Sequence, residues 1–250
     1  MNKIANLYDI KIHAVSLNEA LEIVIEHIAV RNGNYFCFLD THVMAESRRD
    51  PDLRKALLGA TGNFPDGAIV AWTLKLMGYR FKYRVYGTDF MIKICENTAG
   101  IGSKIFLYGN TQTTLDLLED KLKEKFPAIK VVGKIAPPFR ELTDSEDALI
   151  VEEINESGAD FLFVSLGGIK QEKWMHKHKG KIRPIQLGVG AAFNFLAGNL
   201  KQAPLWMQRS GLQWLYRLPQ QPKKTFPRIL LIFSFIGNML GDFIKRKIKK

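Results

Sequence analysis

Short, nearly continuous apolar runs alternate along this chain with stretches whose apolar positions recur every three or four residues. The runs at 35–39, 104–108, 130–135, 160–166 and 184–189 predict strands. The intervening patterns at 17–31, 68–77, 89–99, 111–126, 145–157 and 170–178 predict helices. A segment such as FLFVSL at 161–166 has no polar alternation, so both of its faces must be covered. Strands of that kind, separated by helices, imply an α/β fold: a parallel sheet with helices on both faces. Ligands of such sheets bind in loops beyond the carboxyl ends of the strands, which singles out 40–42, 108–110, 165–171 and 188–193. No internal repeat or low-complexity linker interrupts the pattern.

After Pro222 the pattern changes. Apolar residues at 229, 232, 233, 236, 239, 240, 243 and 244 follow helical spacing, with Asn238 and Asp242 between them. A membrane-spanning helix needs about 20 mostly apolar residues, which this stretch with its Asn, Asp and two glycines does not supply. An amphipathic helix lying on an anionic membrane fits it, ending in the basic run KRKIKK at 245–250. The alternative is a C-terminal helix packed on the core with a solvated basic end. The division expected is an α/β core over 1–200 and a helical, basic, membrane-associating appendage over 201–250.

Composition narrows the class. Hydrophobic content of 46% with 24% charged residues fits a globular protein and not a disordered one. Cys37 and Cys95 both lie in apolar stretches, as expected of reduced, buried thiols in a cytoplasmic protein. The first residues show no apolar core followed by a small-residue cleavage site. The net charge of +11 is uneven: residues 223–250 hold eight Lys or Arg against one Asp. That concentration favours a local anionic surface, and basic residues beside an apolar stripe argue against nucleic acid.

Several motifs carry candidate chemistry. Pro65-Asp66-Gly67 forces a turn before an apolar helix, where Asp66 can act as helix N-cap or as general base; composition alone favours the cap. Arg84 precedes Gly87-Thr88-Asp89, in which Thr88 or Asp89 can cap the next helix while Arg84 reaches an anion or solvent. The stretch 166–174 sets Gly167, Gly168, Lys170 and Gln171 at the end of a buried strand, suiting either a diphosphate, a nucleobase or a plain turn. Gly188-x-Gly190 is half of a dinucleotide fingerprint, but Phe193 occupies the third glycine position and no strand-end acid follows about 20 residues on, so NAD is not expected. The block from 188 to 218 then passes into a cationic helix. His176 and His178 lack a metal-binding pattern, and neither a nucleophile elbow nor a P-loop occurs.

Together these motifs resemble the WecG/TagA/CpsF glycosyltransferase family over about 34–228. The matching pieces are FPDG at 64–67, RVYGTDFM at 84–91, FLYG at 106–109, APPFREL at 136–142, LGGIKQEKW at 166–174, and GVGAAF at 188–193 followed by WLYRL at 214–218. The resemblance implies a Rossmann-like core and an inverting transfer of a hexose-type sugar, commonly N-acetylmannosamine or its uronic acid. The donor would be a UDP-sugar and the acceptor a polyprenyl-diphosphate-linked sugar, in cell-envelope or exopolysaccharide biosynthesis at the inner face of the cell membrane. It implies Asp66 as catalytic base, Asp40, Arg84 and Gln171 in the nucleotide-sugar pocket, and Arg217, Lys224 and Arg228 on diphosphate. No cofactor or metal is expected; homo-oligomerisation stays open. The chain departs from the family pattern at Asp40 (usually Asn), Phe38 (often Thr), Ile169 (commonly Pro), Asn194 and Gln213 (an Asp and a Glu), and Gln221 (Glu). The carboxylate-to-amide changes at Asn194 and Gln213 motivate an alternative, a catalytically weakened assembly protein that binds lipid diphosphate.

Overall fold

The computed structural model describes residues 3–248, apart from the side chains of 224, 238, 240 and 242–248. In chain order the elements are β1 (Ile4–Leu7), β2 (Ile10–His13), α1 (Leu17–Ile25), β3 (Tyr35–Leu39), α2 (Thr41–Glu46), α3 (Pro51–Gly59), β4 (Gly62–Pro65), α4 (Ala68–Leu76) and α5 (Gly87–Thr98). There follow β5 (Lys104–Gly109), α6 (Gln112–Lys125), β6 (Lys130–Ile135), α7 (Asp144–Glu156), β7 (Phe161–Ser165), α8 (Lys170–Lys177) and β8 (Ile185–Gly188). Four helices close the chain: α9 (Ala192–Leu196), α10 (Leu205–Arg209), α11 (Gln213–Arg217) and α12 (Pro222–Ile248).

Six strands form one sheet in the order β4-β3-β8-β7-β5-β6, and every pairing in it is parallel. Strand period places alternate side chains on opposite faces. Phe36, Phe38, Ile105, Leu107, Phe161 and Phe163 pack with Val24 of α1, Phe90 of α5, Leu118 of α6 and Phe193 of α9. Tyr35, Cys37, Leu39, Phe106, Tyr108, Leu162 and Val164 pack on the other side with Met44 of α2, Leu57 of α3, Leu74 of α4 and Met175 of α8. Helices therefore cover both faces, as the unbroken apolar runs require. Each such side chain contributes roughly 1.5–3 kcal/mol of burial.

The structure corrects several sequence expectations. The helix expected over 17–31 stops at Ile25; Ser16 and Glu19 cap its start, and residues 28–30 form a separate tight turn. The single cationic helix expected after the 188–193 turn is three short helices, interrupted at Pro204 and again at Gly211. Thr88 and Asp89 do not cap α5, which begins earlier, at Gly87, with no side-chain cap.

The C-terminal helix has two apolar faces. Phe235 and Met239 are 1% and 8% exposed, Met239 accepting a hydrogen bond from Thr73 Oγ1 of α4 at 2.9 Å and Phe235 meeting the Tyr8 ring edge-on. On the opposite side Phe226, Leu230 and Phe233, spaced four and three residues apart, are each 62% exposed. The stripe expected from sequence straddles these faces, with Met239 inward and Phe233 outward; Leu240, Phe243 and Ile244 have side chains outside the described residues. The packing expected of a core-bound C-terminal helix is present on the inward face, and the outward face leaves an apolar stripe exposed. Among the described residues no helix is long and apolar enough to cross a membrane.

Candidate active site

A cavity of about 1140 Å³ runs along the carboxyl ends of the parallel strands. Its lining brings together Asp40, Asp66, Arg84, Gly167, Gly168, Lys170, Gln171, Gly188, Gly190, Arg217 and Arg228. Of the residues expected from sequence only Lys224 is not placed, because its side chain lies outside the described residues.

At one end β4 delivers Asp66. Backbone N–H groups of Asp66 and Gly67 both donate to Leu39 O at 3.0 Å, drawing the turn against β3. A Cβ on Gly67 would come within 3.0 Å of Asp40 Cα, so glycine is what allows this approach. Gly67 itself occupies the N-cap position of α4, and no side chain caps that helix. The cap expectation for Asp66 therefore fails: its carboxylate stands one residue outside, with Oδ1 buried and without a hydrogen-bond partner. Burial pushes the Asp66 carboxyl up to about 7, Arg84 and Arg217 opposing the shift and Asp40 reinforcing it. An uncapped, desolvated carboxylate that titrates near neutrality has the properties of a general base.

Arg84 is held by several partners. It donates to Asp66 O at 2.6 Å and to Gln213 Oε1 at 3.3 Å, lies 3.5 Å from Asp66 Oδ1, and covers the Tyr86 ring at 4.4 Å. Gln213 completes the set by donating to Tyr86 Oη at 2.9 Å. A glutamate at 213 has no N–H to give and would meet Tyr86 only by accepting the hydrogen of its hydroxyl. Arg217 lies over the Phe195 ring at 4.8 Å, and its Nε is buried with no partner. Two guanidinium groups beside a carboxylate of raised pKa make a site for an anionic ligand carrying a proton to be removed.

Asp40 caps α2, accepting from Val43 N at 2.8 Å through Oδ1. Gly188-x-Gly190 seats the Gln171 amide: Nε2 donates to Gly188 O at 2.8 Å, and a Cβ on Gly188 would fall 2.6 Å from Met175 Cε. Ile169 sits at φ +80°, a region that strains a β-branched residue and that a proline cannot enter. Its N–H donates to Glu172 at 2.6 Å, which satisfies the backbone at the start of α8; the isoleucine side chain has no oxygen to return a bond. Glu172 is fully buried, which pushes its carboxyl up to about 7.

Toward the other end of the cavity Trp174 packs against Tyr108 and His178, at centroid distances of 4.5 Å and 4.2 Å, with its Nε1 buried and unpartnered. Phe139, in the loop after β6, is 89% exposed. Sequence reasoning gave no role to Tyr86, Glu172 or Tyr108. Glu172 carried no capping-box signature, since Ile169 stands where that motif has Ser or Thr; the other two are apolar-looking until the fold brings them to the cavity. Among the described residues no three His, Cys, Asp or Glu are grouped to hold a metal ion.

A family model described as the glycosyl transferase WecG/TagA/CpsF family matches residues 5–249. The chain is 29% identical over 200 residues to an N-acetylglucosaminyldiphosphoundecaprenol N-acetyl-beta-D-mannosaminyltransferase of Bacillus subtilis (strain 168), covering 80% of this chain and 76% of that protein. It is 25% identical over 209 residues to the protein of the same name from Bacillus spizizenii, covering 83% of this chain and 79% of the relative.

Proposed function

The chain belongs to the glycosyl transferase WecG/TagA/CpsF family and is a glycosyltransferase, and from that premise we propose which sugar it moves, to what, and with which residues. The donor is a UDP-linked hexose of the N-acetylmannosamine type, the acceptor a polyprenyl-diphosphate-linked sugar, and the product an intermediate of a cell-envelope or exported polysaccharide. Asp66 takes the proton of the acceptor hydroxyl as that oxygen attacks the anomeric carbon, and UDP leaves from the opposite side. Arg84 and Arg217 meet the charge that grows on the departing diphosphate, joined by Lys170 and Arg228 of the cavity wall; the family resemblance gives Lys224, whose side chain lies outside the described residues, the same role. Asp40 and Gln171, with the turns at Gly167, Gly168, Gly188 and Gly190, shape the donor pocket. The observation that carries this reading is Asp66: half-buried, with Oδ1 out of water and accepting no hydrogen bond, raised to about 7 and flanked by two arginines.

Residues 201–250 act as an appendage to the 1–200 core and present the enzyme to the inner membrane face as a peripheral protein. The support is the outward stripe of Phe226, Leu230 and Phe233 on α12. Exposed Trp72 and Leu76 on α4, Tyr83 and Trp206 add apolar surface from the core and α10; Arg209 stacks on Tyr83 at 5.2 Å. Aromatic side chains mixed with basic ones suit an anionic interface.

The test is UDP release from a panel of UDP-sugars with and without a polyprenyl-diphosphate-linked acceptor. Acceptor-dependent release supports the transferase reading. Acceptor binding without release from any donor favours the weakened, lipid-diphosphate-binding alternative.

A further inference from the structure

The Gln171 side-chain amide is held in one polarity. Its Nε2 donates to Gly188 O at 2.8 Å and to Glu172 Oε1 at 2.9 Å, which uses both of its hydrogens. Its Oε1 is buried in the cavity wall beside Gly190 and has no partner. The Gly188 carbonyl has no hydrogen to give, and neither has Glu172 when ionised, so the side of the amide that faces them must be the NH₂ group. Glu172 cannot turn away, because it is 0% exposed and its other oxygen takes the Ile169 N–H at 2.6 Å. An unpaired buried acceptor is costly, and one at a cavity wall is relieved when a ligand supplies a hydrogen.

We infer that Glu172 is a positioning residue that locks Gln171 as a hydrogen-bond acceptor for an N–H or O–H group of the bound nucleotide sugar. The inference rests on the reading that such a donor occupies this cavity, and it adds what that wall demands of the ligand. Glu172 touches no substrate; it acts through the orientation of Gln171. Replacing it by Gln keeps the shape but not the pattern. The Ile169 N–H still claims the oxygen, leaving an NH₂ group against Gln171 Nε2, so Gly188 O alone holds the amide and the repulsion favours its turning over. The cavity would then meet the ligand's hydrogen with a hydrogen of its own.

The test is calorimetric binding of UDP and of UDP-N-acetylmannosamine to the wild-type protein, to Glu172→Gln, to Gln171→Met and to the double variant. Affinity should fall on the order of tenfold in each single variant, and the double variant should lose no more than Gln171→Met alone, since Glu172 works only through that amide. A loss seen with both ligands puts the donated hydrogen on the nucleotide; a loss confined to the sugar nucleotide puts it on the sugar. Either outcome supports the lock. Wild-type affinity in Gln171→Met overturns it even if Glu172→Gln does not fold, and so does a Glu172→Gln loss that adds in full to that of Gln171→Met. Failure of the wild-type protein to bind either ligand denies the donor reading itself, and is distinct from both.

Discussion

Replacing Asp66 by Asn should make the protein more stable at pH 8 and nearly inactive. The two halves of that outcome come from the same carboxylate. In the unfolded chain Asp66 titrates near 3.8, and in the fold burial raises it to about 7. Between those values the folded form keeps a proton that the unfolded form has released. The stabilisation tied to that proton is fully present below about pH 4 and is lost as pH rises through about 7. Three units correspond to a ceiling of about 4 kcal/mol. The side chain is 20% exposed, so water screens part of this, and about 2 kcal/mol is the expected cost of the ionised form. Asn carries no such cost. Arg84 keeps its bonds to Asp66 O and Gln213 in the exchange; the 3.5 Å ion pair with Oδ1 that it loses already opposes the rise to about 7 and is contained in that value.

For a chain of this length 2 kcal/mol corresponds to a Tm higher by about 4–8 °C at pH 8. That gap should close as pH is lowered towards 4, where the wild-type carboxyl is neutral in both states. Turnover should drop by roughly 10²–10⁴-fold, the usual contribution of a general base. Thermal unfolding at several pH values, beside steady-state kinetics, reads both quantities. A lower Tm at pH 8, or a Tm change independent of pH, would show that Asp66 holds the fold as a polar anchor. Turnover close to wild type in the folded variant would remove it from the mechanism.

Three other expectations follow from the site and its surroundings. Arg217→Ala should lower kcat/KM far more than Tm, since its Nε has no partner within the protein and the losses are the Phe195 contact and its attraction to the Asp66 carboxylate; unchanged kinetics with a lowered Tm would make it a structural residue. Asp40→Asn should keep α2, because Asn caps a helix as well as Asp, while opening the pocket to anionic donors such as UDP-hexuronates. It should also shift the acid limb of the kcat profile to lower pH, because the Asp40 charge repels a charge on Asp66 and so helps to hold its carboxyl up; an unmoved limb and donor panel would refute this. Replacing Phe226, Leu230 and Phe233 together by Ser should weaken binding to anionic vesicles with little change in Tm, these side chains being largely exposed; pelleting equal to wild type would exclude that stripe from the interface. Deleting the tail from Ile229 is the poorer experiment, since it also removes Phe235 and Met239 from the core.

Much of the fold was legible because its strands are apolar on both faces. The run 130–135 is β6 with the same bounds, and β3, β5, β7 and β8 were found within a residue or so at either end. β4 was not legible: Gly62–Pro65 is four residues bounded by Gly and Pro, and only its pairing with β3 makes it a strand. The hairpin of β1 and β2 does alternate, but Tyr8 and Asp9 turn it at positive φ in place of the usual Asn-Gly. α3 carried a signal that went unused, Asp50 capping with Pro51 in the first turn. At the site, residue identity was readable and local role was not. Asp66 resembled a cap because a helix follows it, and only the register, with Gly67 taking the cap position, leaves the carboxylate free. Likewise Gly188 and Gly190 resembled half of a nucleotide fingerprint, whereas they seat Gln171, 17 residues earlier in the chain than the carbonyl it binds.

The central claim is that one carboxylate, Asp66, deprotonates the acceptor in a single displacement of UDP. That chemistry has a stereochemical consequence, which the anomeric configuration of the transferred sugar reads directly. With an α-linked UDP-sugar that the enzyme accepts, and a polyprenyl-diphosphate-linked sugar as acceptor, nuclear magnetic resonance of the product should show a β-glycosidic linkage. An α-linkage in the product would mean net retention, and would contradict single displacement with Asp66 as its base.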